Sequence, residues 1–333
     1  MTPIKSSILN KNSKLNSIWI MRQAGRYLPE FREIRKENSD FIKLCLNSNL
    51  SAEITLQPLD RFDLDAAIIF SDILMIPYAL GQRVEFMKNF GTTLGDLKLK
   101  NIENVSEKDF SNKLKPIYKL IEIIKSKSII KNKDIIGFVG APWTLAVYMI
   151  NKISPKKNDK NIAFENTEEV RKIIKIITKF IKLHILNQVK SGASLIQIFD
   201  SWAGLLDEKF LDDFVYSPTL EIVEFTKTLS VPVICFPREI KDYKIYCKNI
   251  NPDVISIDYN VDPNEIRKDI DICVQGGMDP KILLSDKEKI KNEAKKYLDI
   301  FKDGPYIFNL GHGVMPDTKP EMVDYLVKFV KNY

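Results

Sequence analysis

Eight short apolar runs recur along the chain, and each is followed by polar or glycine-containing residues and then by a longer polar or amphipathic stretch. The runs lie at residues 18–21, 66–70, 135–140, 194–199, 232–236, 254–258, 271–276 and 306–311. Because they are almost continuously apolar, they are typical of parallel strands that are covered on both faces. Strand and helix patterns that alternate indicate βαβ units, and eight units predict a closed (β/α)8 barrel of the TIM type.

The segments between the runs carry helical patterns. Residues 168–190 place apolar side chains at spacings of three and four, which predicts an amphipathic helix, and residues 288–301 do the same. Residues 318–321 (TKPE) resemble a helix start, with a capping hydroxyl on Thr318 and a carboxylate three residues on. Residues 81–112 do not fit the alternation, so we expect an extended excursion there, which could be a hairpin, followed by a polar loop.

The length and composition suit one large domain. The 333 residues are 44% hydrophobic and 28% charged, which provides enough apolar side chains for a large core. We treat residues 1–333 as a single catalytic domain, in which residues 1–15 could form a flexible N-terminal arm. We see no secretory signal and no uncharged apolar run near the ~18 residues that a membrane span needs, so we expect a cytoplasmic protein without a membrane partner.

Several classes of function lack their usual sequence support. The net charge of +6 is small and dispersed, which does not favour nucleic acid, although a mild positive field would help to attract a polyanionic small molecule. Neither glycine-rich nucleotide motif is present, and no G-x-S-x-G elbow supports a serine hydrolase. Two histidines and four scattered cysteines provide no convincing zinc ligand set.

Polar side chains follow the carboxyl ends of the predicted strands, where barrels of this type carry their catalytic groups. They are Arg22, Gln23 and Arg26 after the first strand, Ser71 and Asp72 after the second, Tyr148 after the third, Asp200, Ser201 and Trp202 after the fourth, and His312 after the last. These groups can bind an anion, so we expect an anionic ligand at this end of the barrel.

Arg22 and Arg26 are four residues apart and could reach one anion together if their segment is helical. Arginines placed among glycine and glutamine directly after a strand favour bidentate recognition of a carboxylate or a phosphate. Surface ion pairs with Glu30 and Glu33 explain the same residues equally well.

Asp72 has almost exclusively apolar neighbours, and a carboxylate in that setting is costly unless something pairs with it. It could be a helix cap or the partner of a barrel arginine, or it could be a fixed anion that contacts a cation or an N–H-rich ligand. His312 has glycine on both sides and is either a hydrogen-bonded loop residue or a ligand contact. His184 lies in the helical stretch 168–190 and is interpreted as a core residue.

Six segments resemble the uroporphyrinogen decarboxylase family. WIMRQAGRYLPEFREIR (19–35) is similar to the family's amino-terminal signature, and GFVGAPWTLAVYMI (137–150) is similar to its second signature. The other segments follow in the family's order and at about its spacings: FSDIL (70–74), FDSWAG (199–204), GGMDP (276–280) and NLGHGVMPDTKPE (309–321). The resemblance extends from about Trp19 to the last residue.

The resemblance implies a distorted (β/α)8 barrel that removes CO2 from the four acetate side chains of uroporphyrinogen III and so forms coproporphyrinogen III in heme biosynthesis. It also implies a homodimer and a reaction that needs neither a metal nor an organic cofactor. Protonating a pyrrole creates an iminium-like cation that can accept the electrons of the broken bond, and a fixed carboxylate near the ring nitrogens would favour that cation.

The resemblance also implies which residues form the site. Asp72 would face the pyrrole N–H groups and stabilise the transition state, and Tyr148 would be the second catalytic residue. The other implied substrate contacts are Arg22, Gln23, Ala24, Gly25, Arg26, Arg35, Phe199, Ser201 and His312. Arg238 and Glu239 stand where the family commonly has Lys-Gly, and we expect this departure to alter a loop without touching the site.

Two rival functions come from other classes. A zinc-dependent methyltransferase of a related barrel family would need zinc held by histidine and cysteine, and the sequence lacks such a set. A non-catalytic tetrapyrrole-binding protein would have kept the pocket and lost the chemistry. The presence of Asp72, Arg22, Arg26 and Tyr148 counts against the second rival.

Overall fold

The computed structural model describes residues 1–9, 16–87, 91–155 and 167–333. Within these ranges the strands are β1 (Ser17–Ile18), β2 (Ala66–Ile68), β3 (Val84–Met87), β4 (Gly91–Leu94), β5 (Asp134–Gly140), β6 (Leu195–Asp200), β7 (Val233–Pro237), β8 (Val254–Ile257), β9 (Cys273–Gly276) and β10 (Tyr306–Phe308). The helices are α1 (Pro3–Leu9), α2 (Pro29–Glu37), α3 (Phe41–Cys45), α4 (Ser48–Arg61), α5 (Met75–Ala79), α6 (Leu99–Glu103), α7 (Glu107–Lys125), α8 (Pro142–Asn151), α9 (Thr167–Ser191), α10 (Ser217–Thr228), α11 (Tyr243–Ile250), α12 (Pro263–Asp269), α13 (Lys287–Phe301) and α14 (Pro320–Asn332).

Eight parallel strands form a nearly closed barrel in the order β1-β10-β9-β8-β7-β6-β5-β2. Each of the eight apolar runs contains or overlaps one of these strands, so the prediction of a (β/α)8 barrel in a single domain is confirmed. The strands are unequal, since β1 has two residues and β5 has seven. Helices surround the sheet, and none in the described part of the chain is both long enough and apolar enough to cross a membrane.

The ring closes between β1 and β2 through one aspartate. The amide of Asp65 donates to the carbonyl of Ile18 (2.9 Å), and its carboxylate accepts from the amide of Ile18 (2.8 Å). Lys331, near the end of α14, donates to the other carboxylate oxygen. Because Asp65 precedes β2, this seam lies at the end of the barrel where the strands begin.

Helix α1 covers the same end of the barrel. Ile4 is fully buried among the side chains that fill the interior of the strands, and the hydroxyls of Ser7 and Ser17 are 2.9 Å apart. Residues 3–9 therefore pack as a helix where the sequence allowed a flexible arm, while residues 10–15 of that arm lie outside the described residues. The packing of α1 leaves the opposite end of the barrel for the functional loops.

The outer helices largely follow the predicted patterns. The helix predicted at 168–190 is α9, and the one predicted at 288–301 is α13. Gln188 of α9 hydrogen bonds to both backbone groups of Phe138 in β5, at 3.0 and 3.1 Å, which fixes helix to strand. His184 is buried and lies 3.1 Å from the hydroxyl of Tyr118, and burial lowers its pKa to about 3. This histidine is a core residue.

Two local predictions need correction. Helix α14 begins at Pro320 with Lys319 as its N-cap, so Thr318 does not cap it, because the fixed φ of proline already suits the first helical position. Residues 84–94 form the hairpin β3–β4, with residues 88–90 outside the described part. The polar loop predicted after the hairpin instead contains α6 and the start of α7. Ser106 is the N-cap of α7, and its Oγ accepts a hydrogen bond from the amide of Asp109 at 3.0 Å.

Candidate active site

The loops after the carboxyl ends of the strands form the open end of the barrel, which we call the mouth. Arg22 follows β1, Asp72 follows β2, Tyr148 lies in α8 after β5, Ser201 follows β6 and His312 follows β10. Parallel strands bring these segments to one end, although they are far apart in sequence. The charges of Arg22, Asp72 and Tyr148 act on one another, which shows that these three side chains share one region.

Arg22 has an unusual backbone and an unusual surrounding. Its φ of 61° lies in the left-handed region, which costs a non-glycine residue roughly 1–2 kcal/mol. Its side chain lies on Gly313, where an added Cβ would come within 2.2 Å of Arg22 Cδ. The side chain is open to solvent, yet desolvation lowers the pKa of Arg22. The Arg22 side chain is thus accessible to water and at the same time largely surrounded by protein atoms, which indicates that it lies in a concave part of the surface.

Hydrogen bonds hold the loop of Arg22 in place. The amide of Met21 donates to Asn309 Oδ1 (2.8 Å), and the amide of Val314 donates to the carbonyl of Met21 (3.0 Å). The buried side chain of Gln23 donates to the carbonyl of Ala66 (3.0 Å) and accepts from the amide of Ile20 (3.2 Å). Gln23 therefore links the loop to β2, and both its amide oxygen and its amide nitrogen already have hydrogen-bond partners in the protein.

The arginines that follow are not engaged by the acidic residues near them in sequence. Glu30, one candidate partner of Arg22 and Arg26, binds Arg61 instead, at 2.5 and 2.9 Å. Within the described residues, no carboxylate lies within salt-bridge distance of Arg22, Arg26 or Arg35. The interpretation of Arg22 and Arg26 as surface ion pairs with Glu30 is therefore wrong.

Arg35 lies beside a group of aromatic side chains. Its guanidinium lies 5.4 Å above the ring of Phe41 and donates to the carbonyl of Asn38 at 2.6 Å. The charges of Arg35 and Arg26 also act on each other, which places both at the same side of the mouth. Ala24 and Gly25, between Arg22 and Arg26, are half-buried and belong to the same loop.

Asp72 is half-buried and lacks an ion-pair partner in the described part of the chain. One carboxylate oxygen accepts from the amide of Leu74 at 2.9 Å, which is a local turn contact. Burial raises the pKa of Asp72 to about 6, and the Leu74 amide and the charge of Arg22 oppose this rise. The carboxylate is therefore ionised at neutral pH and costly to keep so, because only part of its hydrogen-bonding capacity is used.

Tyr148 keeps its proton at neutral pH. Burial raises the pKa of its hydroxyl, and the charge of Asp72 adds to this effect. Its ring is 5.8 Å from that of Trp202, and the hydroxyl of Ser154 lies 3.5 Å from its own. Ser201, next to Trp202, is half-buried at the same end of the barrel. A protonated tyrosine can donate a hydrogen bond to an anion.

Aromatic rings cover the floor of the mouth. Phe199, near the end of β6, is half-buried and packs edge-on against Phe138 (5.6 Å between ring centroids) and Phe236 (6.4 Å). These rings belong to the cluster that fills the barrel interior. They end the polar mouth at an apolar surface that suits the face of a flat ligand.

His312 is neutral at physiological pH. Burial, together with the charges of Arg22 and Arg238, lowers its pKa to about 4. A neutral imidazole has one N–H donor, which can bind a carboxylate oxygen without adding a permanent charge. Its position after β10 places it beside Gly313, on which Arg22 lies.

Two more charged residues lie at the carboxyl ends of strands at the mouth: Arg238, which the sequence analysis did not assign to the site, and Asp200, which it placed there without a role. The charge of Arg238, after β7, acts on both Arg22 and His312, so this departure lies closer to the site than the sequence analysis expected. Asp200 is fully buried, its carboxylate accepts from the Thr144 hydroxyl at 2.6 Å, and burial raises its pKa to about 7. Arg238 directly follows an apolar run, so the rule used for the other strands could have found it.

A groove of about 660 Å³ runs along α4 and α7 on the outside of the barrel, lined by Glu30, Glu53, Arg61 and Lys127 among others. Its charges have both signs, and none of its lining residues is aromatic. Among residues 1–9, 16–87, 91–155 and 167–333, no three His, Cys, Asp or Glu side chains lie close enough to share a metal ion.

The fold and the mouth together define a class of protein: a single-domain (β/α)8 barrel with charged side chains above an aromatic floor at the carboxyl ends of its strands. Comparison with known proteins agrees and is more specific. The chain belongs to the uroporphyrinogen decarboxylase family, whose model matches residues 5–333. It is 39% identical to uroporphyrinogen decarboxylase of Rickettsia bellii, covering 100% of this chain and 99% of that protein. It is 40% identical to that of Orientia tsutsugamushi, again over 100% and 99%. Membership makes the chain a carboxy-lyase.

A solved structure supports the fold alone. A methyltransferase from Methanosarcina mazei superimposes with a TM-score of 0.79 over 99% of this chain and 97% of that one, at 18% sequence identity. Identity this low shows that the barrel is shared and says nothing of the chemistry.

Proposed function

We propose that the mouth binds uroporphyrinogen III as a polycarboxylate and that Asp72 stabilises the cation that forms as each acetate loses CO2. One observation carries the proposal: a half-buried carboxylate without an ion-pair partner among the described residues lies beside Arg22, which has none either. The carboxylate of Asp72 and the guanidinium of Arg22 lie in one region without forming an ion pair. They can therefore bind a ligand that carries both negative and positive groups. Uroporphyrinogen in its reactive form has carboxylates at its rim and a positive ring at its centre.

Binding follows from the charges and the floor. Arg22, Arg26 and Arg35 can each donate paired N–H hydrogen bonds to a carboxylate, which is the geometry that guanidinium favours. They also offset the substrate's own charge, which would otherwise repel Asp72. The rings around Phe199 contact the face of the macrocycle.

The chemistry needs a place for the electrons of the broken C–CO2 bond. A proton added to the pyrrole carbon next to the one that bears the acetate gives a conjugated iminium cation. Loss of CO2 then turns the bonding pair into an exocyclic double bond. The new CH2 group takes up a proton while the added ring proton leaves, so the net change is uptake of one proton and conversion of CH2–CO2⁻ to CH3.

Asp72 acts on the cationic stage of this sequence. Its ionised carboxylate can accept pyrrole N–H hydrogen bonds and attracts the positive charge as it develops. At about 4 Å and an effective dielectric constant near 20, such an attraction amounts to about 4 kcal/mol. The protein holds the carboxylate in place before the reaction, so no reorganisation is needed at that moment.

Tyr148 and His312 complete the proposal. Tyr148 carries its proton at neutral pH and donates a hydrogen bond to the substrate beside Asp72. His312 is neutral and donates its single N–H to a carboxylate near Arg22. Neither group introduces a negative charge that would compete with Asp72 for the cation.

A direct assay tests the activity. The purified protein is incubated with uroporphyrinogen III in the absence of oxygen and of added metal, with and without a chelator, and the products are oxidised and separated. We expect coproporphyrinogen III at the same rate in both samples. Tight binding without CO2 release would instead favour a non-catalytic tetrapyrrole-binding protein. Activity that the chelator removes would show that a metal is needed.

Two further parts of the proposal rest on the family. We expect a homodimer, which light scattering after gel filtration measures directly, and a cytoplasmic location, which fractionation of the source cells measures. A monomeric mass over the assay's concentration range would remove the first.

A further inference from the structure

We propose that Arg238, after β7, is a second carboxylate-binding arm of the mouth, opposite Arg22, and that Glu239 holds its guanidinium in position. The inference rests on the proposed function, since it takes the ligand to be a polycarboxylate. It adds a binding residue that the sequence analysis placed outside the site.

The order of the strands places the two arginines on opposite sides. In the ring β1-β10-β9-β8-β7-β6-β5-β2, β7 is four positions from β1 in either direction. Arg22 follows β1 and Arg238 follows β7, both at the carboxyl end. A macrocycle with carboxylates around its whole rim, lying over the floor at Phe199, presents anionic groups to both sides at once.

Backbone hydrogen bonds and a close contact with the loop after β6 hold the loop that carries Arg238 in place. The amide of Arg238 donates to the carbonyl of Asp200 (3.0 Å), and its carbonyl accepts from the amide of Gly204 (3.1 Å). The amide of Glu239 donates to Asp258 Oδ2 at 2.8 Å. At Gly204, an added Cβ would come within 2.1 Å of the carbonyl oxygen of Glu239, so the loops after β6 and β7 are in direct contact.

Glu239 has a strained backbone conformation, and its side chain contacts that of Arg238. Its φ of 59° is in the left-handed region that favours glycine. One carboxylate oxygen accepts from Nη2 of Arg238 at 2.8 Å. The pair is only partly exposed, with 18% of the arginine side chain and 29% of the glutamate side chain open to solvent. Strain that persists in a partly buried pair suggests a function for the pair.

The guanidinium has donors left over. Arginine carries five N–H donors, and Glu239 engages it through a single contact. Nε of Arg238 is buried and has no acceptor in the described part of the chain. A carboxylate in the mouth can bind the remaining N–H groups while Glu239 keeps the plane of the guanidinium fixed.

The surrounding charges also favour an anion here. Arg238 acts on the two site residues Arg22 and His312 as a like charge, and it helps to lower the pKa of both. Asp258, beside this group, is engaged by the amide of Glu239 and the hydroxyl of Tyr243. Positive groups that repel one another around an opening are stabilised when an anion binds between them.

The test compares variants of the full-length protein. Arg238→Gln removes the charge, Arg238→Lys keeps it without the planar guanidinium, and Glu239→Gln releases the guanidinium from its carboxylate. Arg171→Gln is the matched control, because Arg171 pairs with Asp213 on the outer surface at 2.7 Å. For each variant, the thermal melt, the KM and kcat with uroporphyrinogen III, and the Kd of oxidised uroporphyrin by fluorescence are measured.

We expect Arg238→Gln to raise KM and Kd about tenfold or more, as for the loss of one charge-assisted pair, while kcat stays within about threefold. Arg238→Lys should recover part of the affinity. Glu239→Gln should raise KM and Kd by less than Arg238→Gln does, because it weakens the positioning of the guanidinium but keeps its charge. The control should change neither constant.

Two results would overturn the assignment. One is an Arg238→Gln variant, folded by its melt, with unchanged KM and Kd. The other is an equal loss of affinity in Arg238→Gln and Glu239→Gln, which would make the pair purely structural. If the unaltered protein binds uroporphyrin but releases no CO2, the proposed function fails, while a weaker Kd in Arg238→Gln would still support the binding arm.

Discussion

Two aspartates at opposite ends of strand β2 have opposite surroundings. Asp65, just before the strand, is 3% exposed, accepts from the amide of Ile18 and pairs with Lys331. Asp72, just after the strand, accepts from one local amide and has no ion-pair partner in the described ranges. The two carboxylates belong to one short segment of chain, and burial raises the pKa of each.

The difference separates stability from function within one barrel. At the end where the strands begin, Asp65 satisfies its charge inside the protein and closes the seam between β1 and β2. At the mouth, Asp72 keeps hydrogen-bonding capacity that the described part of the protein does not use, beside Arg22, which has no ion-pair partner there either. A charge that folding leaves unsatisfied costs stability, and a ligand that satisfies it recovers that cost as binding or catalysis.

The largest expected effect is on turnover after Asp72→Asn. The amide keeps the size of the side chain and its contact with the amide of Leu74, but it cannot stabilise a cation. We expect kcat to fall about 10²–10³-fold, as for loss of one fixed electrostatic partner in an active site. Steady-state rates with uroporphyrinogen III measure the change. Unchanged kinetics in a folded variant would show that Asp72 has another role.

Asp65→Asn should lower the stability of the protein and leave its turnover almost unchanged. Both oxygens of Asp65 accept hydrogen bonds, and an amide has only one oxygen, so either the Ile18 amide or Lys331 loses its partner. This loss outweighs the relief of the buried charge, and we expect the free energy of unfolding to fall by about 1–3 kcal/mol. The kcat of the folded protein should stay within about twofold, because Asp65 is at the other end of the barrel. Urea unfolding and assays at low temperature measure both quantities. A loss of kcat as large as that of Asp72→Asn would end the comparison.

The pH dependence of the reaction should report Asp72. Since burial raises its pKa to about 6, kcat/KM should be level above pH 7 and fall about tenfold per unit below pH 6 as the carboxylate takes up a proton. His312, with its pKa near 4, should not contribute in this range. The acid limb should therefore persist in His312→Gln and disappear from the residual activity of Asp72→Asn.

The smallest effect is a gain in stability. The folded-state pKa of Asp72 is raised from 3.8 to about 6, so its ionisation lowers stability as the pH rises from about 4 to 6, and the loss persists above 6. Asp72→Asn removes this loss, and we expect about 1 kcal/mol more stability at pH 7.5, allowing for partial exposure of the group. The gain should vanish near pH 4. Urea unfolding at both values checks the sign, and a less stable variant at pH 7.5 would contradict it.

The sequence predicted the barrel well because its strands are buried on both faces and therefore apolar throughout. It also predicted α9, whose observed bounds differ from the predicted ones by a single residue at each end. Helix α1 was missed because it is seven residues long and buries little besides Ile4, so it leaves no periodic pattern. The cap at Thr318 was misassigned because Pro320 starts the helix without a side-chain hydrogen bond.

The sequence analysis predicted most residues of the mouth but not the contacts that they make. The resemblance named Arg22, Asp72 and His312, and the structure brings them to one end of the barrel. It could not show that the Gln23 side chain is already engaged or that Glu30 binds Arg61, since both depend on contacts between distant segments. Arg238 was misjudged for a different reason: it was compared with the family's usual residues and not with the chain's own pattern of polar groups after strands.

The pairing of β1 with β10 has a consequence for how the protein is made. Ile18 pairs with Phe308, so the first strand to leave the ribosome waits for the last one of the barrel. At about 5–20 residues per second, the 289 residues between them take about 15 to 60 seconds to synthesise. During that interval the nascent chain exposes an unpaired strand edge, which is the period when a chaperone would be of most use.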